Sequence, residues 1–139
     1  MPHQAILWNP SWNLNIPSID SDHKNIVKAI NALDKNLGEQ GEQRLMNKLF
    51  DALDAYTRIH FNREIDLLIE CNFTDIENHE VEHSKFLEKI EFYRAKCSGE
   101  FDHEALKQEI RTYLLDWLVV HIDQTDRKYQ KHLIAAGVQ

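Results

Sequence analysis

Three observations predict an all-α fold, an antiparallel up-down-up-down four-helix bundle with an N-terminal arm. Apolar residues recur at three- and four-residue spacings along four long segments. The 4 glycines and 3 prolines lie outside those segments, where helices should stop. No stretch alternates with a strand's period of two, and no internal repeat stands out. Amphipathic helices joined by short turns pack as antiparallel neighbours.

Taken in order, residues 1–19 form an arm with Pro2, Pro10 and Pro17, whose Trp8 and Trp12 are placed to cover one end of the bundle. Residues 20–139 form the bundle, within a single domain. The first helix should start at Asp20, a good N-cap, and stop at Gly38; its apolar stripe is Ile26, Val27, Ile30, Leu33 and Leu37. After the Gly38–Gly41 turn, a second helix over 42–71 carries Leu49, Leu53, Tyr56 and Leu67. A break at Asn72-Phe73 precedes Thr74-x-x-Glu77, the spacing of a capping box. The third helix then runs to about 97, with Phe86, Ile90 and Tyr93 inward. The fourth runs from about Asp102 to 135, with Leu106, Ile110, Leu114 and Trp117 inward.

Composition bounds the rest. A chain of 139 residues buries a real core without disulfide staples. A net charge of −7 argues against nucleic acid and against an anionic membrane surface. No apolar run is long enough to insert in a bilayer, and the N-terminus lacks a signal segment. Cys71 and Cys97 match no zinc or redox spacing, so a cytoplasmic protein with reduced thiols is expected.

The chemistry lies in residues that interrupt the apolar stripes. His23 shares a face with Ile26, Val27 and Ile30. His60 and Glu64 continue the stripe of Leu53; His79 and His83 share one with Phe86 and Ile90; His121 extends that of Leu114 and Trp117, with Asp126 five residues on. Seven ionisable groups in one core are costly unless something binds them, and metal is the simplest answer. Helical rise puts all seven roughly 5–21 Å from the same end of the bundle, so one shared site is compatible. Nitrogen and carboxylate donors without thiolate suit Zn, Fe, Mn or Cu. Seven donors exceed one tetrahedral ion and suit two metals with bridging carboxylates. His60/Glu64 and His79/His83 are i,i+4 pairs on one helical face. His121 and Asp126 are i,i+5, about 140° apart on an ideal helix. Either they approach from different sides or the fourth helix contains a π-bulge.

This ordered pattern resembles the bacterial hemerythrins over essentially the whole chain. It comprises a histidine on helix one, H-x-x-x-E on helix two, H-x-x-x-H on helix three and H-x-x-x-x-D on helix four. The flanks agree as well: Ile19-Asp20-x-x-His23-Lys24, His60-Phe61-x-x-Glu64, His79-x-x-Glu82-His83-x-x-Phe86 and Trp117-Leu118-x-x-His121-Ile122. The resemblance implies two iron ions with an oxo or hydroxo bridge. His79, His83 and His121 would complete one iron, and His23 and His60 would hold the other. Glu64 and Asp126 would bridge them, and dioxygen would bind at the iron with two histidines. Phe61, Trp117, Ile122, Leu118 and Ile26 would supply an apolar oxygen pocket, although Ile26 and Leu118 serve equally as core.

Departures from the family pattern are Asp22, where Gln or Glu is common, and Ile65 in place of a second acid. Gln124 lies between His121 and Asp126 and is expected to face solvent. A ferritin-like oxidase would need two E-x-x-H motifs, and Glu80-x-x-His83 with Glu100-x-x-His103 is a poor match because the second straddles a turn. His3, His103 and His132 are expected on the surface. The resemblance implies oxygen storage or delivery, and because no nucleophile or general base stands over a substrate cleft, catalysis is not expected. The alternatives are sensing through a signalling partner, or scavenging and iron holding; an oxygen-consuming enzyme would be the recipient of delivered oxygen.

Overall fold

The computed structural model describes residues 5–36, 43–99 and 103–139. Its helices are α1 (Pro17–Asn36), α2 (Gln43–Glu70), α3 (Ile76–Cys97), α4 (His103–Val120) and α5 (Arg127–Ala135). A π-helical turn, His121–Asp126, joins α4 to α5, with helical backbone on both sides, so the three form one continuous rod. Leu37, Gly38, Gly41, Asp102, His3, Glu100 and the side chain of His103 lie outside the described residues. Among the described residues there is no strand, and no helix is long and apolar enough to cross a membrane.

Two helix starts differ from expectation. The first helix begins at Pro17, not Asp20: proline suits the first helical position, where no N–H is needed, and the Ile16 carbonyl accepts from Ile19 and Asp20. Asp20 instead accepts a hydrogen bond from the Leu14 amide at 2.8 Å, which ties down the arm. The Thr74–Glu77 capping box does not form. Asp75 is the N-cap of α3, without a side-chain cap, and its carbonyl is committed to a histidine described below. The α2–α3 break is a Schellman closure: Phe73 N–H bonds Leu68 O, Asn72 N–H bonds Ile69 O, and Asn72 takes φ 57°. Asparagine tolerates that left-handed backbone better than most residues.

The α1 and α3 stripes are buried as expected where described, and α4 buries Leu106, Ile110 and Leu114 with Trp117 half-buried. The phase on α2 is a correction. Tyr56 is 45% exposed, and the inward positions are Met46, Phe50, Leu53, Thr57, His60, Glu64 and Leu68. A stripe steps by three or four, and from Leu53 the step of four to Thr57 is the one taken; the Thr57 hydroxyl is satisfied by donating to the Leu53 carbonyl. Burying Phe50, Leu53 and Leu68 contributes roughly 1.5–3 kcal/mol each.

Helix α1 packs on α2 and α4, and α2 on α3. Helices α3 and α4 meet through rings: Phe86 stacks on Trp117 with centroids 4.2 Å apart, and Tyr93 meets Tyr113 edge-on at 5.9 Å. The arm lies along the bundle. Leu14 and Ile16 are fully buried, and Asn31 exchanges two hydrogen bonds with the Ile6 backbone. Arg127 and Gln130 of α5 donate to the carbonyls of Ser11 and Leu14. Trp8 and Trp12 pack edge to face, half-buried.

Candidate metal centre

All seven expected ligand residues converge inside the bundle, each no more than 5% exposed. The π-turn explains how the fourth helix contributes two of them. Its wider turn brings residues five apart onto one face, so His121 Nε2 and Asp126 Oδ1 lie 3.0 Å apart.

The two carboxylates divide the histidines into two sets. Glu64 Oε2 lies 2.9 Å from His60, while its Oε1 lies 3.3, 3.4 and 3.8 Å from His79, His83 and His121. Asp126 repeats the division: Oδ2 is 3.2 Å from His23, and Oδ1 is 3.0 Å from His121 and 3.6 Å from His79. His23 and His60 complete the first set, with Nε2 atoms 3.0 Å apart. The donor atoms of His23, His60, Glu64 and Asp126 all lie within 4.8 Å of one another, as do those of Glu64, His83 and His121.

At these distances the atoms face chiefly one another. Both oxygens of Glu64 and of Asp126, and Nε2 of His79, His83 and His121, are buried without a hydrogen-bond partner. Natural proteins rarely leave so many buried polar atoms orphaned together, and a cation supplies the missing partner. The electrostatics agree. Burial works against ionisation of Glu64, yet His121, His60 and His83 hold its carboxyl well below its ordinary range. Burial and Glu64 oppose ionisation of Asp126, but His121 and His23 hold it down as well. Burial lowers His60, but Asp22 and Glu64 outweigh it and lift its pKa to about 9. His121 is raised well above its usual value by Asp126 and Glu64 against the same burial. Burial lowers His23 and His83. Without metal, then, the cluster keeps its carboxylates charged and favours protons on His60, His79 and His121 but not on His23 and His83.

A second ring of residues, whose orienting role was not read from the sequence, holds the imidazoles. His60 Nδ1 donates to Asp22 at 3.2 Å, and Arg63 holds Asp22 from outside at 2.8 Å. His121 Nδ1 donates to Glu82 Oε2 at 2.8 Å, and Thr125 of the π-turn donates to the same oxygen at 2.8 Å. His79 Nδ1 donates to the Asp75 carbonyl at 3.2 Å. Such partners fix which nitrogen faces a metal. The available signal was that every ligating imidazole has a second nitrogen needing an acceptor, and Asp22 and Glu82 adjoin ligands in sequence. Tyr129, fully buried with its ring 5.6 Å from His79, was also missed. Burial, with Asp126 and Glu64 adding to it, keeps that phenol neutral.

Phe61 lies flat on His83, with centroids 3.7 Å apart and planes 2° apart, and Trp117 lies flat on His121 at 4.5 Å and 13°. Both rings therefore back the three-histidine set, and Phe61 approaches His60 only at 5.8 Å. Ile26, Leu118 and Ile122 are buried. Gln124 and His132 are exposed, as is Glu80, which removes the ferritin-like alternative at its first acid. Cys71 and Cys97 are free thiols, and burial pushes Cys97 up to about 11.

A family model described as "Hemerythrin HHE cation binding domain" matches residues 14–133. The chain belongs to the hemerythrin family. A "Bacteriohemerythrin" of Clostridium acetobutylicum is 26% identical over 126 residues, covering 88% of this chain and 97% of that protein. A "Hemerythrin-like protein" of Naegleria gruberi is 29% identical over 123 residues, covering 88% and 89%. The crystal structure of a wild-type hemerythrin superposes with a TM-score of 0.79 at 25% identity, covering 94% of this chain and 98% of that one. Hemerythrin membership makes this a non-haem iron-binding domain of an oxygen-binding family whose members are generally not enzymes.

Proposed function

We propose that this hemerythrin binds dioxygen reversibly at a pair of iron ions, for storage or delivery. His79, His83 and His121 would hold one iron, His23 and His60 the other, and Glu64 and Asp126 would bridge them. The observation that supports this reading is the division of both carboxylates, each offering one oxygen to a two-histidine set and one to a three-histidine set. The two-histidine set is one donor short, which leaves room for an exogenous ligand on that side. When bound, the iron pair would supply reversible, electron-donating binding of dioxygen.

The protein's own contribution is positioning and dryness. Asp22 and Glu82 keep the His60 and His121 rings turned inward. Ile26, Leu118 and Ile122, with the rings of Phe61 and Trp117, exclude water and so withhold the protons that would make oxidation irreversible.

A cleft of about 360 Å³ between α2 and α3, lined by Phe61, His83, Asn62 and Glu80 among others, favours a second reading. It gives solvent a side approach to His83, as a sensor or scavenger would use. Metal analysis with absorption spectra through repeated cycles of reduction and air decides between the two. Two irons per chain and a band that returns on each cycle support carriage. Rapid loss of the band after one cycle favours sensing or scavenging, and a single zinc overturns both.

A further inference from the structure

The five ligand imidazoles are not held alike. Nδ1 of His60, of His79 and of His121 each faces an acceptor. His23 is sealed in the core, its Nδ1 buried with it. His83 differs from all four. Its Nε2 turns inward, 3.4 Å from Glu64 Oε1, and its Nδ1 has no hydrogen-bond partner among the described residues. The ring lines the α2–α3 cleft of about 360 Å³, backed by the flat face of Phe61. A hydrogen bond fixes direction and a ring stack does so far less, which makes His83 the ligand freest to turn.

The same cleft carries oxygen donors. Asp66 of α2 and Glu80 of α3 line it, both exposed and neither ion-paired among the described residues. Arg58, on the same wall, is committed to Asp54 at 2.9 Å. Unpaired carboxylates at a cleft concentrate a hydrated divalent cation by charge and can replace its waters. The larger groove between α3 and α4 offers no such approach, since none of the seven ligand residues lines it. His23, Glu64, His79 and Asp126 are wholly buried.

We propose that ferrous iron enters and leaves the centre through the α2–α3 cleft, where Asp66 and Glu80 collect the hydrated ion and His83 turns aside on Phe61 to admit it. Glu64 Oε1, directly behind the His83 ring, is the first donor inside. This role rests on the iron reading and adds how the site is filled.

The probe is ferrous iron, added anaerobically to metal-free protein; a coloured chelator added at intervals counts what is still unbound, and excess chelator on loaded protein times release. Asn62→Trp fills the cleft from an exposed position. It should slow uptake and release several-fold, with final iron content and circular dichroism unchanged. Asp66→Asn with Glu80→Gln should slow uptake at low salt, and added salt should erase the difference. Glu109→Gln with Asp116→Asn removes the same charge from the α3–α4 groove and should alter neither rate. Leu87→Glu, one turn along α3 and also on the cleft wall, offers His83 Nδ1 an acceptor. The added charge alone would speed uptake, whereas a locked ring slows both rates, which is the expected result.

Unchanged rates in Asn62→Trp overturn the route. Equal slowing by the two charge-neutralised pairs overturns the collecting role of Asp66 and Glu80, and unslowed rates in Leu87→Glu overturn the turning of His83. Wild-type protein that takes up no iron sinks the iron reading instead; cobalt(II) uptake, timed in the same variants, then still tests the cleft as the path for a divalent ion.

Discussion

Glu64 is the residue on which most of the site depends, because its two oxygens face four of the five histidines. Replacing Glu64 by Ala should abolish metal retention, read by metal analysis. It should also destabilise the metal-free protein by about 3–5 kcal/mol, since four buried imidazoles lose the carboxylate they face. His132→Ala, at an exposed position, should change neither quantity. The outer partners give a graded test. Asp22→Asn and Glu82→Gln should each weaken metal binding about 10–100-fold, measured by competition with a chelator. Unchanged affinity in both would remove their orienting role. At this scale the ligand types and their spacing were plain in the sequence. Asp22 and Glu82 were not, because a carboxylate beside a ligand on a helix looks like any solvated acid until a second helix brings an imidazole to it.

At the scale of elements, the π-turn sets the site's register. A spacing of five leaves two residues about 140° apart on an α-helix, and the wider turn removes that offset. Inserting one alanine between Gln124 and Thr125 makes the spacing six, which neither kind of turn aligns. Loss of metal with helical circular dichroism retained is the expected result, and full retention of metal would show that Asp126 is dispensable. Helix number, order and most inward faces were legible because the apolar periods are long and uninterrupted. The turn itself was only one of two options, because spacing reports a misalignment without saying how the backbone resolves it. The phase error at Tyr56 has a related cause: steps of three and four are both open to a helix, and the buried one is Thr57, whose hydroxyl is satisfied within the helix, rather than the larger apolar Tyr56. The capping box failed because α3 starts one residue later than it requires: Asp75, not Thr74, is the N-cap, so Glu77 falls at the second helical position rather than the third.

For the whole molecule, acidity and metal act on the same groups, and the signs can be worked out. Glu64 and Asp126 have folded-state pKa values below the unfolded ones, so their contribution is present above about pH 4.5 and is lost as pH falls through the depressed values. His60 is raised from 6.5 to about 9, so its contribution is full below pH 6.5 and is lost as pH rises through 9. His23 and His83, lowered by burial, cost stability as pH drops below 6.5. Metal-free protein should therefore unfold at its highest temperature near pH 6.5 and weaken towards pH 9. Metal-bound protein should not weaken over that range, because coordination replaces the protons on the imidazoles. Thermal midpoints against pH, with and without iron, check this; parallel curves would mean that the histidines are not ligands.

The division of the ligands along the chain has a consequence for assembly. Helices α1 and α2 carry His23, His60 and Glu64; the rod and helix beyond the Asn72 turn carry His79, His83, His121 and Asp126. Each half thus owns one of the two carboxylates and lacks the other, so neither half can furnish a finished cage. Metal held by both would join the halves as a rivet joins plates. Cut at Asn72, the two pieces should reassociate with an affinity that climbs with iron concentration and falls away with chelator, so the ion would behave as a folding template as well as a cofactor.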